Sequence, residues 1–395
     1  MTAREIVVVG AVRTAIGTFG GALKDVDLST LATTVCRAAL EGSGTPADAV
    51  GHVVMGNVIP TEPRDGYLAR VAAVDAGIPV QTPAFNVNRL CGSGLQAVIS
   101  AAQSILLGDA DLAIGGGAEN MSRGPFILPN MRWGARLGDS QAVDYMNTLL
   151  HDPWGKFHMG VTAENVAERY RISRERQDAL ALQSQQRAAH ALQNGYFRQQ
   201  IVSVETGGRK GTTVFDTDEH VRADLTAERL AALKPVFKKE NGTVTAGNAS
   251  GLNDGAAALV LAEAGRARAL GLTPMARLVG YAHAGVEPAL MGIGPVPAVR
   301  QLLERTGIRL EQIDVIEANE AFAAQACAVM QELDMDPARV NPNGSGISLG
   351  HPVGATGAII SVKAIHELQR IQGRYALVTL CIGGGQGIAA LFERC

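Results

Sequence analysis

The sequence predicts an α/β protein that contains two similar halves and an inserted polar region. Three observations support this prediction. Short, continuous apolar strands alternate with helical stretches, which is typical of a parallel or mixed sheet covered by helices on both faces. Elements of the N-terminal third recur in the same order in the C-terminal third. Residues 121–250 interrupt this alternation with a charged segment.

Length and composition set the limits of this fold. The chain has 395 residues, of which 47% are hydrophobic and 18% charged, so it can bury a large core and is expected to form about two to three domains. Glycine is abundant, with 46 residues, and aromatic residues make up only 4%. This composition favours tight turns and close packing of helix on sheet. The net charge of −3 argues against general nucleic-acid binding.

The cysteine content indicates reduced thiols. Five cysteines are present, an odd number without a C-x-x-C pair, which argues against a disulfide framework and a structural zinc site. We therefore expect an intracellular protein in which one thiol is reactive. No secretory leader and no run of 18 apolar residues is seen, so no membrane span is expected and the predicted location is the cytoplasm.

The first third supplies strands and helices in alternation. Strands are predicted at 5–10, 52–57 and 111–114, and helices at 29–41 and 95–107. Glycines close both helices, at Gly42 and Gly108, and a glycine triplet follows the third strand.

The C-terminal third repeats this arrangement. Residues 313–319 resemble residues 50–57 at an offset of 262 positions, and residues 377–385 resemble residues 111–117 at an offset of 268. A helix opened by small residues precedes each glycine triplet. We interpret the match as an internal duplication; the alternative is two unrelated α/β domains that share common patterns.

The inserted region has its own charge balance. Residues 121–250 hold 17 basic and 14 acidic residues, a net charge of +3 in an otherwise acidic chain. A long polar helix is predicted from 174 to 194, with Ser173 as N-cap and Gly195 beyond its end. Most of these charges are expected to face solvent, but the excess of positive charge makes this region the best candidate for meeting an anionic ligand.

Cys91 is the first candidate for chemistry. It follows an extended segment and directly precedes a helix rich in small residues. A thiol at a helix N-terminus is near partial positive charge, which lowers the pKa and favours the nucleophilic thiolate. The alternative is a buried structural cysteine.

His351 is the second candidate. It is held between Gly350 and Pro352 just before a helix, so its backbone is fixed. This placement suits a general base or a hydrogen-bond donor. The alternative is a turn histidine that bonds only to backbone.

Cys381 and Asn319 complete the candidates. Cys381 ends a predicted strand and is followed by Gly383, Gly384 and Gly385, whose N–H groups suit an oxyanion or a phosphate. Asn319 ends the repeated strand and could orient a water or polarise a carbonyl; a turn or capping role is the alternative. No dinucleotide fingerprint, P-loop, zinc-protease helix or lipase elbow is present.

These segments together resemble the signature blocks of the thiolase family, in the family's order. The matching blocks are NRLCGSGLQA at 88–97, NEAFAA at 319–324, GHPVGATG at 350–357 and CIGGGQG at 381–387. Similar segments at 12–17, 115–122, 158–164 and 246–254 extend the resemblance over essentially the whole chain. The chain is most similar to bacterial biosynthetic β-ketothiolases of polyhydroxyalkanoate pathways, especially the branch that handles chains longer than acetyl.

The resemblance implies an acyltransferase. Cys91 would attack an acyl-CoA and form an acyl-enzyme, with His351 taking its proton. Cys381 would then remove a proton from the methyl group of acetyl-CoA, and the carbanion would attack the acyl-enzyme to give 3-ketoacyl-CoA. One oxyanion hole would use His351 and a water held by Asn319; the other would use the backbone N–H groups of Cys91 and Gly383.

The resemblance also implies a set of CoA contacts and an acyl-tail contact. Met291 matches a position near the acyl tail, and its alternative role is that of a core filler. Arg229 stands where family members often carry a serine, which changes the nucleotide-end contacts. The matched CoA positions are Leu150, His158, Met159, Arg222, Phe237, Ala246, Ser250, Ala321 and Phe322.

The implied fold has duplicated halves in five α-β-α-β-α layers with an inserted loop domain. The first half would span 1–120 and be completed by 251–273, the insertion over the CoA site would span 121–250, and the second half would span 274–395. The expected partners are acyl-CoA and CoA as substrates, without another cofactor, a metal, nucleic acid or a membrane. The expected assembly is a homotetramer, a dimer of dimers.

Three other functions are weighed against this one. A degradative 3-ketoacyl-CoA thiolase would use the same residues. A 3-ketoacyl synthase or a hydroxymethylglutaryl-CoA synthase would share the fold, but Cys381 in its C-x-G-G-G block argues against both. A non-catalytic acyl-CoA-binding protein would not require intact Cys91, His351 and Cys381.

Overall fold

The computed structural model describes residues 4–208 and 211–395. Within these ranges the chain forms fifteen β-strands and twelve α-helices. The strands are β1 (Ile6–Thr14), β2 (Gly17–Thr18), β3 (His52–Gly56), β4 (Ala84–Val87), β5 (Leu112–Asn120), β6 (Phe126–Ile127), β7 (Val143–Asp144), β8 (Ile201–Val202), β9 (Val204–Gly208), β10 (Gly211–Phe215), β11 (Asn253–Glu263), β12 (Ala276–Gly285), β13 (Val315–Ala318), β14 (Tyr375–Ile382) and β15 (Gln386–Arg394). The helices are α1 (Leu28–Ser43), α2 (Leu68–Asp75), α3 (Ser93–Leu107), α4 (Tyr145–Leu149), α5 (Met159–Tyr170), α6 (Arg174–Gln193), α7 (Ala227–Ala231), α8 (Ala264–Ala269), α9 (Pro295–Thr306), α10 (Ala323–Leu333), α11 (Gly346–Leu349) and α12 (Thr356–Ile371).

The main sheet runs in the order β4-β3-β5-β11-β1-β12-β15-β14-β13. In the first half, β3 is parallel to β5, and β5, β11 and β1 are antiparallel neighbours. The second half repeats this arrangement, because β13 is parallel to β14 and β14, β15 and β12 are antiparallel neighbours. The halves join through a short ladder in which Val7 pairs with Arg277 and Val8 with Ala276. This topology confirms the predicted internal repeat in a mixed sheet.

Helices cover both faces of each half. Helix α1 packs on β11 and β1, with α2 beside it. Helix α9 packs on β12 and β15, with α10 beside it. Helices α3 and α12 lie between the two halves and contact strands of both, so the layers follow the predicted α-β-α-β-α order. The apolar residues of α3 and α12 therefore form the centre of the core.

Glycines bring the two central helices together. A Cβ on Gly94 of α3 would lie 2.7 Å from the backbone nitrogen of Ala358 in α12, a distance that real Cβ atoms do not reach. A Cβ on Gly357 of α12 would clash with the backbone of Leu95 in α3. The N-terminal ends of α3 and α12 therefore touch backbone to backbone.

The prediction that the third strand ends at residue 114 is wrong. Strand β5 continues to Asn120, so the glycine triplet lies within the strand. A Cβ on Gly115 would lie 2.5 Å from the Cα of Val98, and a Cβ on Gly117 would clash with the carbonyl oxygen of Gly354. The glycines are required because the central helices press on this strand.

The inserted region lies between β5 and β11 and is anchored to the core. Its long helix α6 begins after Ser173, whose side chain accepts a hydrogen bond from the backbone N–H of Arg176, and Gly195 beyond its end has φ +69°, as predicted. A fully buried ion pair joins Arg13 of β1 to Asp218 of the inserted region at 2.7 Å.

One segment, Leu90–Leu107, is apolar enough for a membrane span, with a mean hydropathy of 1.4 over 18 residues. It includes helix α3, and 67% of it is buried inside the protein. Burial between the two halves accounts for its apolar composition.

Candidate active site

A cavity of about 280 Å³ brings most of the predicted site residues together. It lies where the N-terminal ends of α3 and α12 meet the inserted region. The predicted residues that line it are Cys91, Leu150, His158, Met159, Phe237, Ser250, Met291, Ala321, Phe322, His351, Cys381 and Gly383. The remaining lining residues were not predicted: Met121, Met146, Asn147, Ala249, Gly251, Leu252 and Val353. Residues of both halves and of the inserted region therefore line one cavity together with the two thiols.

Cys91 lies at the turn that opens α3. The preceding residue, Leu90, has φ +48°, a left-handed conformation that is uncommon outside glycine. Ser93 holds this turn, because its Oγ accepts from the N–H of Arg89 at 2.8 Å and donates to the carbonyl of Leu90 at 2.7 Å. The turn directs the Cys91 thiol into the cavity. Backbone strain of this kind is often kept where a reactive group must be presented.

The predicted lowering of the Cys91 pKa is wrong. Burial raises the pKa of the Cys91 thiol to about 11, although the backbone N–H of Gly383 and that of Cys91 itself oppose the shift. The positive end of α3 does not outweigh the loss of water around the sulfur. The resting thiol is therefore protonated at neutral pH and requires a base to become a nucleophile.

His351 has the properties of that base. Burial lowers its pKa to about 4, so the imidazole is neutral at physiological pH. Its backbone N–H donates to Oδ1 of Asn253 at 2.9 Å, and its Nδ1 lies 2.6 Å from Oγ1 of Thr356. These contacts hold the ring in one orientation at the wall of the cavity.

Asn319 lies beside His351 and does not line the cavity. Its Nδ2 is 3.4 Å from Nε2 of His351, and its side chain is almost fully buried. Its Oδ1 accepts no hydrogen bond from the residues that the structure describes. The amide thus supplies one polar contact to His351 and keeps a free acceptor.

Cys381 is the penultimate residue of β14 and is 1% exposed. Burial raises the pKa of its thiol well above the ordinary value, and the negative charge that Cys91 carries when ionised adds to the shift. The turn after it needs glycine, because Gly384 and Gly385 have φ values of +79° and +85°. This turn carries Gly383, whose backbone N–H is directed at the Cys91 sulfur. Cys91, Gly383 and Cys381 therefore face one another across the cavity.

Glu119 is a site residue that the sequence reasoning missed. It is fully buried beside the cavity and has no cation partner among the described residues. Its carboxyl oxygens accept from Asn57 Nδ2 at 2.8 Å and from the backbone N–H groups of Val58, Ile59 and Gly354 at 3.1, 3.0 and 2.7 Å. Burial raises the pKa of Glu119 to about 8. Since Gly354 belongs to the loop of His351, Glu119 ties that loop to the first half of the fold.

The cavity is otherwise apolar. Cys91 packs against Met121, Met146 and Val353, whereas Cys381 packs against Met159 and Met291. Unbranched methionines adapt to ligands of different shape. The cavity therefore suits a short aliphatic group close to the two thiols.

An aromatic stack forms part of the cavity wall. The ring of His158 lies on that of Phe237 with centroids 4.6 Å apart, and Phe322 packs edge-on against Phe237. Burial lowers the pKa of His158 to about 4, so this ring is neutral as well. One neutral imidazole and two phenylalanine rings therefore form an uncharged wall.

Arg222 and Ala246 do not line the cavity. Both are exposed on the inserted region. The backbone N–H of Arg222 donates to Oε1 of Gln185 at 2.7 Å. Because Gln185 belongs to α6, this hydrogen bond holds the backbone of Arg222 against that helix. Arg229 pairs with Asp224 at 2.6 Å. The role of these residues toward a nucleotide stays a prediction.

The described residues contain no group of three or more His, Cys, Asp or Glu side chains that could hold a metal ion. The polar side chains of the cavity are the two thiols, the imidazoles of His158 and His351, the amide of Asn147 and the hydroxyl of Ser250, and the backbone N–H of Gly383 is directed at the Cys91 sulfur. These groups suit nucleophilic attack on a thioester or a ketone, with proton transfer by His351 and stabilisation of an oxyanion.

Comparison with known proteins identifies the family. Residues 6–265 match the model of the thiolase N-terminal domain, and residues 272–394 match that of the thiolase C-terminal domain. Among curated proteins, the chain is 66% identical over 391 residues to beta-ketothiolase BktB of Cupriavidus necator, covering 99% of each chain. It is 50% identical over 393 residues to an acetyl-CoA acetyltransferase of Pseudomonas aeruginosa, covering 99% of this chain and all of the relative.

Solved structures give the same result. Human mitochondrial 3-ketoacyl-CoA thiolase superposes with a TM-score of 0.98 at 43% identity, with 100% of each chain covered. Its complex with CoA superposes with a TM-score of 0.96, covering 100% of this chain and 98% of the other. Both halves of the fold and the loops that carry Cys91, His351 and Cys381 fall within the matched regions. The chain therefore belongs to the thiolase family.

Proposed function

We propose that this thiolase is a β-ketothiolase that condenses acetyl-CoA with acetyl-CoA or another short acyl-CoA, such as propionyl-CoA, to a 3-ketoacyl-CoA and free CoA. The observation that carries the proposal is the meeting of two thiols, Cys91 and Cys381, with the neutral imidazole of His351 at one apolar cavity. Similarity to a protein named beta-ketothiolase over 99% of the chain supports it.

The first half-reaction is acyl transfer to Cys91. Nε2 of His351 accepts the thiol proton as the sulfur attacks the thioester carbonyl. The tetrahedral intermediate collapses, the C–S bond to CoA breaks, and the Cys381 thiol gives its proton to the departing CoA thiolate, which leaves Cys381 as the thiolate and His351 as the imidazolium. The elevated pKa of Cys91 makes the base necessary, and the neutral state of His351 makes it available.

The second half-reaction forms the carbon–carbon bond. The Cys381 thiolate removes a proton from the methyl group of acetyl-CoA, and the resulting enolate attacks the acyl carbonyl on Cys91. The bond between the acyl carbon and the Cys91 sulfur breaks, 3-ketoacyl-CoA is released, and His351 returns its proton to the Cys91 thiolate. In thiolysis the steps run in reverse, and Cys381 takes the proton of the attacking CoA thiol.

Two groups of donors stabilise the developing oxyanions. The backbone N–H groups of Cys91 and Gly383 face the acyl oxygen, which fits the direction of the Gly383 N–H toward the Cys91 sulfur. His351 and a water bound by Asn319 would stabilise the enolate oxygen, which fits the free acceptor on buried Asn319. The chemistry proposed here requires no cofactor besides the CoA thioesters that react.

CoA would enter beneath the inserted region. The aromatic wall of His158, Phe237 and Phe322 suits the pantetheine arm, and Arg222 on the exposed surface suits the nucleotide end. Human mitochondrial 3-ketoacyl-CoA thiolase in complex with CoA superposes on the whole of this chain, which supports CoA as the ligand.

We infer that the physiological direction is synthesis and that the product feeds polyhydroxyalkanoate formation in the cytoplasm. Similarity to bacterial proteins named acetyl-CoA acetyltransferase, a name that describes acetyl transfer to acetyl-CoA, favours this direction. Degradation of 3-ketoacyl-CoA in fatty-acid metabolism is the second candidate, and the likeness to a human mitochondrial 3-ketoacyl-CoA thiolase favours it. The ratio of kcat/KM for condensation to that for thiolysis, measured with acyl groups of four, five and six carbons, separates the two.

We also propose a homotetramer. The β6–β7 hairpin region carries large apolar side chains in solvent: Phe126 is 67% exposed, Trp133 89% and Leu137 98%. A contiguous apolar projection of this kind marks a protein interface. Packing of this hairpin against that of a second dimer would cover it.

The labelling of Cys91 tests the proposed chemistry. Incubation with acetyl-CoA alone is expected to leave an acetyl group on Cys91, detected by peptide mass spectrometry. Cys381→Ala is expected to acylate normally and to lose condensation. A label on Cys381, no label on either thiol, or normal condensation by Cys381→Ala would each overturn the assignment.

A further inference from the structure

We propose that Ser184 and Glu320 are positioning residues that set the spacing between Asn319 and His351. The inference rests on the proposed function, because it concerns the pair assigned to the enolate oxygen. Neither Ser184 nor Glu320 lines the cavity. Both lie directly behind it, and their hydrogen bonds connect the two loops that carry Asn319 and His351.

Glu320 forms the first part of this connection. It follows Asn319 in the chain and is 3% exposed. Its Oε1 accepts from Asn341 Nδ2 at 2.9 Å, and the backbone N–H of Ile347 also donates to its carboxyl group. Ile347 lies in α11, the single helical turn that ends immediately before Gly350 and His351. One carboxylate therefore links the strand end that carries Asn319 to the helix that leads into His351.

The packing around α11 leaves little freedom. A Cβ on Gly346 would lie 2.6 Å from the carbonyl oxygen of Glu320 and 2.8 Å from Oδ1 of Asn319. Helix α11 therefore begins in direct contact with Asn319 and ends at the loop of His351. A shift of this helix relative to Glu320 would move the two side chains apart.

Ser184 forms the second part. It is 2% exposed and belongs to α6 of the inserted region. Its Oγ lies 2.6 Å from Oε2 of Glu320 and 2.8 Å from Oγ of Ser348 in α11, and it accepts from the backbone N–H of Ser345 at 3.4 Å. A single hydroxyl thus contacts both the Asn319 loop and the segment before His351.

Charge explains why Glu320 depends on these donors. The described residues include no ion pair to Glu320, since Lys363, the buried cation of this region, pairs with Glu317 at 2.8 Å and bonds to the carbonyl of Gly344. Glu320 is therefore held by hydrogen bonds from Ser184, Asn341 and Ile347. Loss of the Ser184 donor leaves a buried carboxylate oxygen without its partner, and the carboxylate must move toward another donor.

Movement of the Glu320 carboxylate matters because it would change the short distance between the side chains of Asn319 and His351. Asn319 Nδ2 and His351 Nε2 are 3.4 Å apart. Displacement of catalytic groups by about 1 Å can cost on the order of 100-fold in rate. The expected loss affects the transition state rather than substrate binding, since the CoA contacts do not involve Ser184.

The test compares Ser184→Ala with Ser104→Ala and Ser184→Thr. Ser104 is a matched buried serine whose hydroxyl bonds only to Ala101 of its own helix, far from the site. In thiolysis of acetoacetyl-CoA, Ser184→Ala is expected to lower kcat by about tenfold or more with KM changed by less than about twofold. Ser184→Thr keeps the hydroxyl and is expected to recover most of kcat, and Ser104→Ala is expected to match the wild type.

The rate of enolate formation distinguishes a positioning role from a purely structural one. A purely structural role would not slow this step selectively. Exchange of the acetyl-CoA methyl protons in D₂O, followed by mass spectrometry, is expected to slow in Ser184→Ala in parallel with kcat and to recover in Ser184→Thr, while the lost hydrogen bond lowers the melting temperature by only a few degrees. A double-mutant cycle with Glu320→Gln is expected to be non-additive, since both changes break one connection.

The outcomes separate this inference from the proposed function. A Ser184→Ala enzyme with the kcat and exchange rate of Ser104→Ala would overturn the positioning role. A parallel loss of melting temperature, KM and kcat without rescue by Thr would also overturn it, because that pattern indicates general destabilisation. A wild-type protein that neither acylates Cys91 nor cleaves acetoacetyl-CoA would instead refute the proposed function.

Discussion

The hydroxyl oxygen of Thr356 lies 2.6 Å from Nδ1 of His351 and 2.8 Å from the carbonyl oxygen of Pro352. A carbonyl only accepts, so the single hydroxyl proton of Thr356 goes to Pro352, and Nδ1 of His351 must carry a proton and donate to Thr356. Nε2 is then the unprotonated nitrogen. Thr356 therefore selects the tautomer that can accept the proton of Cys91.

Replacement of Thr356 tests this selection. Thr356→Val keeps the shape of the side chain but removes the acceptor for Nδ1–H, and we expect kcat to fall by roughly tenfold or more because the basic tautomer is no longer favoured. Thr356→Ser restores the hydroxyl and is expected to recover most of the rate. Steady-state thiolysis of acetoacetyl-CoA measures both variants. Wild-type kcat in Thr356→Val would show that the tautomer is fixed by other contacts.

The reactivity of Cys91 should depend on pH in a way that reveals its base. Burial raises the pKa of Cys91 to about 11, so without a base the thiolate fraction rises about tenfold per pH unit below that value. His351→Ala should therefore be alkylated by iodoacetamide at a rate that climbs steeply between about pH 7 and pH 10. The wild type, with an imidazole whose pKa is about 4, should react faster at pH 7 and show a shallower slope.

The two profiles can be obtained by quantifying alkylation at Cys91 by peptide mass spectrometry, with Cys395, the exposed thiol, as an internal reference. Identical slopes in wild type and His351→Ala would contradict the role of His351 as base.

Glu119 is expected to support both stability and rate. Glu119→Gln places an amide NH₂ among four hydrogen-bond donors, so at least one buried donor loses its acceptor, at a cost of about 1–3 kcal/mol in the free energy of unfolding. The loop of His351 also loses its link to the first half through Gly354, and kcat should fall. Urea unfolding and steady-state kinetics measure the two effects, with Glu311→Gln, at an exposed position, as the control. Wild-type stability in Glu119→Gln would show that the link is dispensable.

The exposed apolar residues of the β6–β7 hairpin region are expected to form the contact between two dimers in the proposed tetramer. Replacing Trp133 and Leu137 with serine removes much of the apolar projection without disturbing a buried contact, since these side chains are 89% and 98% exposed. We expect the double variant to form dimers where the wild type forms tetramers, as measured by light scattering after size exclusion. Gel filtration of a matched variant at Val214, a 59% exposed apolar residue on β10, should resemble the wild type. A tetrameric hairpin variant would assign the interface to another surface.

The sequence reasoning located the site through loops whose local pattern fixes the backbone. His351 between glycine and proline, and Cys381 before three glycines, signal rigid turns, and the structure places both at the cavity. The repeat also emerged from local patterns, since strands in equivalent positions keep similar residues. Such features depend on near neighbours in the chain.

Features that depend on distant neighbours were missed. The pKa of Cys91 follows its burial against the apolar wall of the cavity rather than its place before α3, so the expected direction was wrong. Glu119 and Gly354 are 235 positions apart, and Ser184 and Glu320 are 136 positions apart. No motif joins such pairs, because only the folded chain brings them within hydrogen-bond distance. The length of β5 was missed for the same reason, because its glycines are needed where α3 and the segment that leads into α12 pack closely against the strand.

The backbone contact between Gly94 and Gly357 has a consequence for how such proteins can vary. Each half of the duplicated chain supplies one of the two glycines, and a side chain at either position would clash with the opposite helix. The loop that carries Cys91 and the loop that carries His351 both lead into the helices that meet at this contact. A chimera that combines the N-terminal half of one relative with the C-terminal half of another should stay active only where both parents keep a glycine at each position. Because a Cβ at either glycine would meet the backbone of the opposite helix, a substitution on one inner face requires a compensating change on the other.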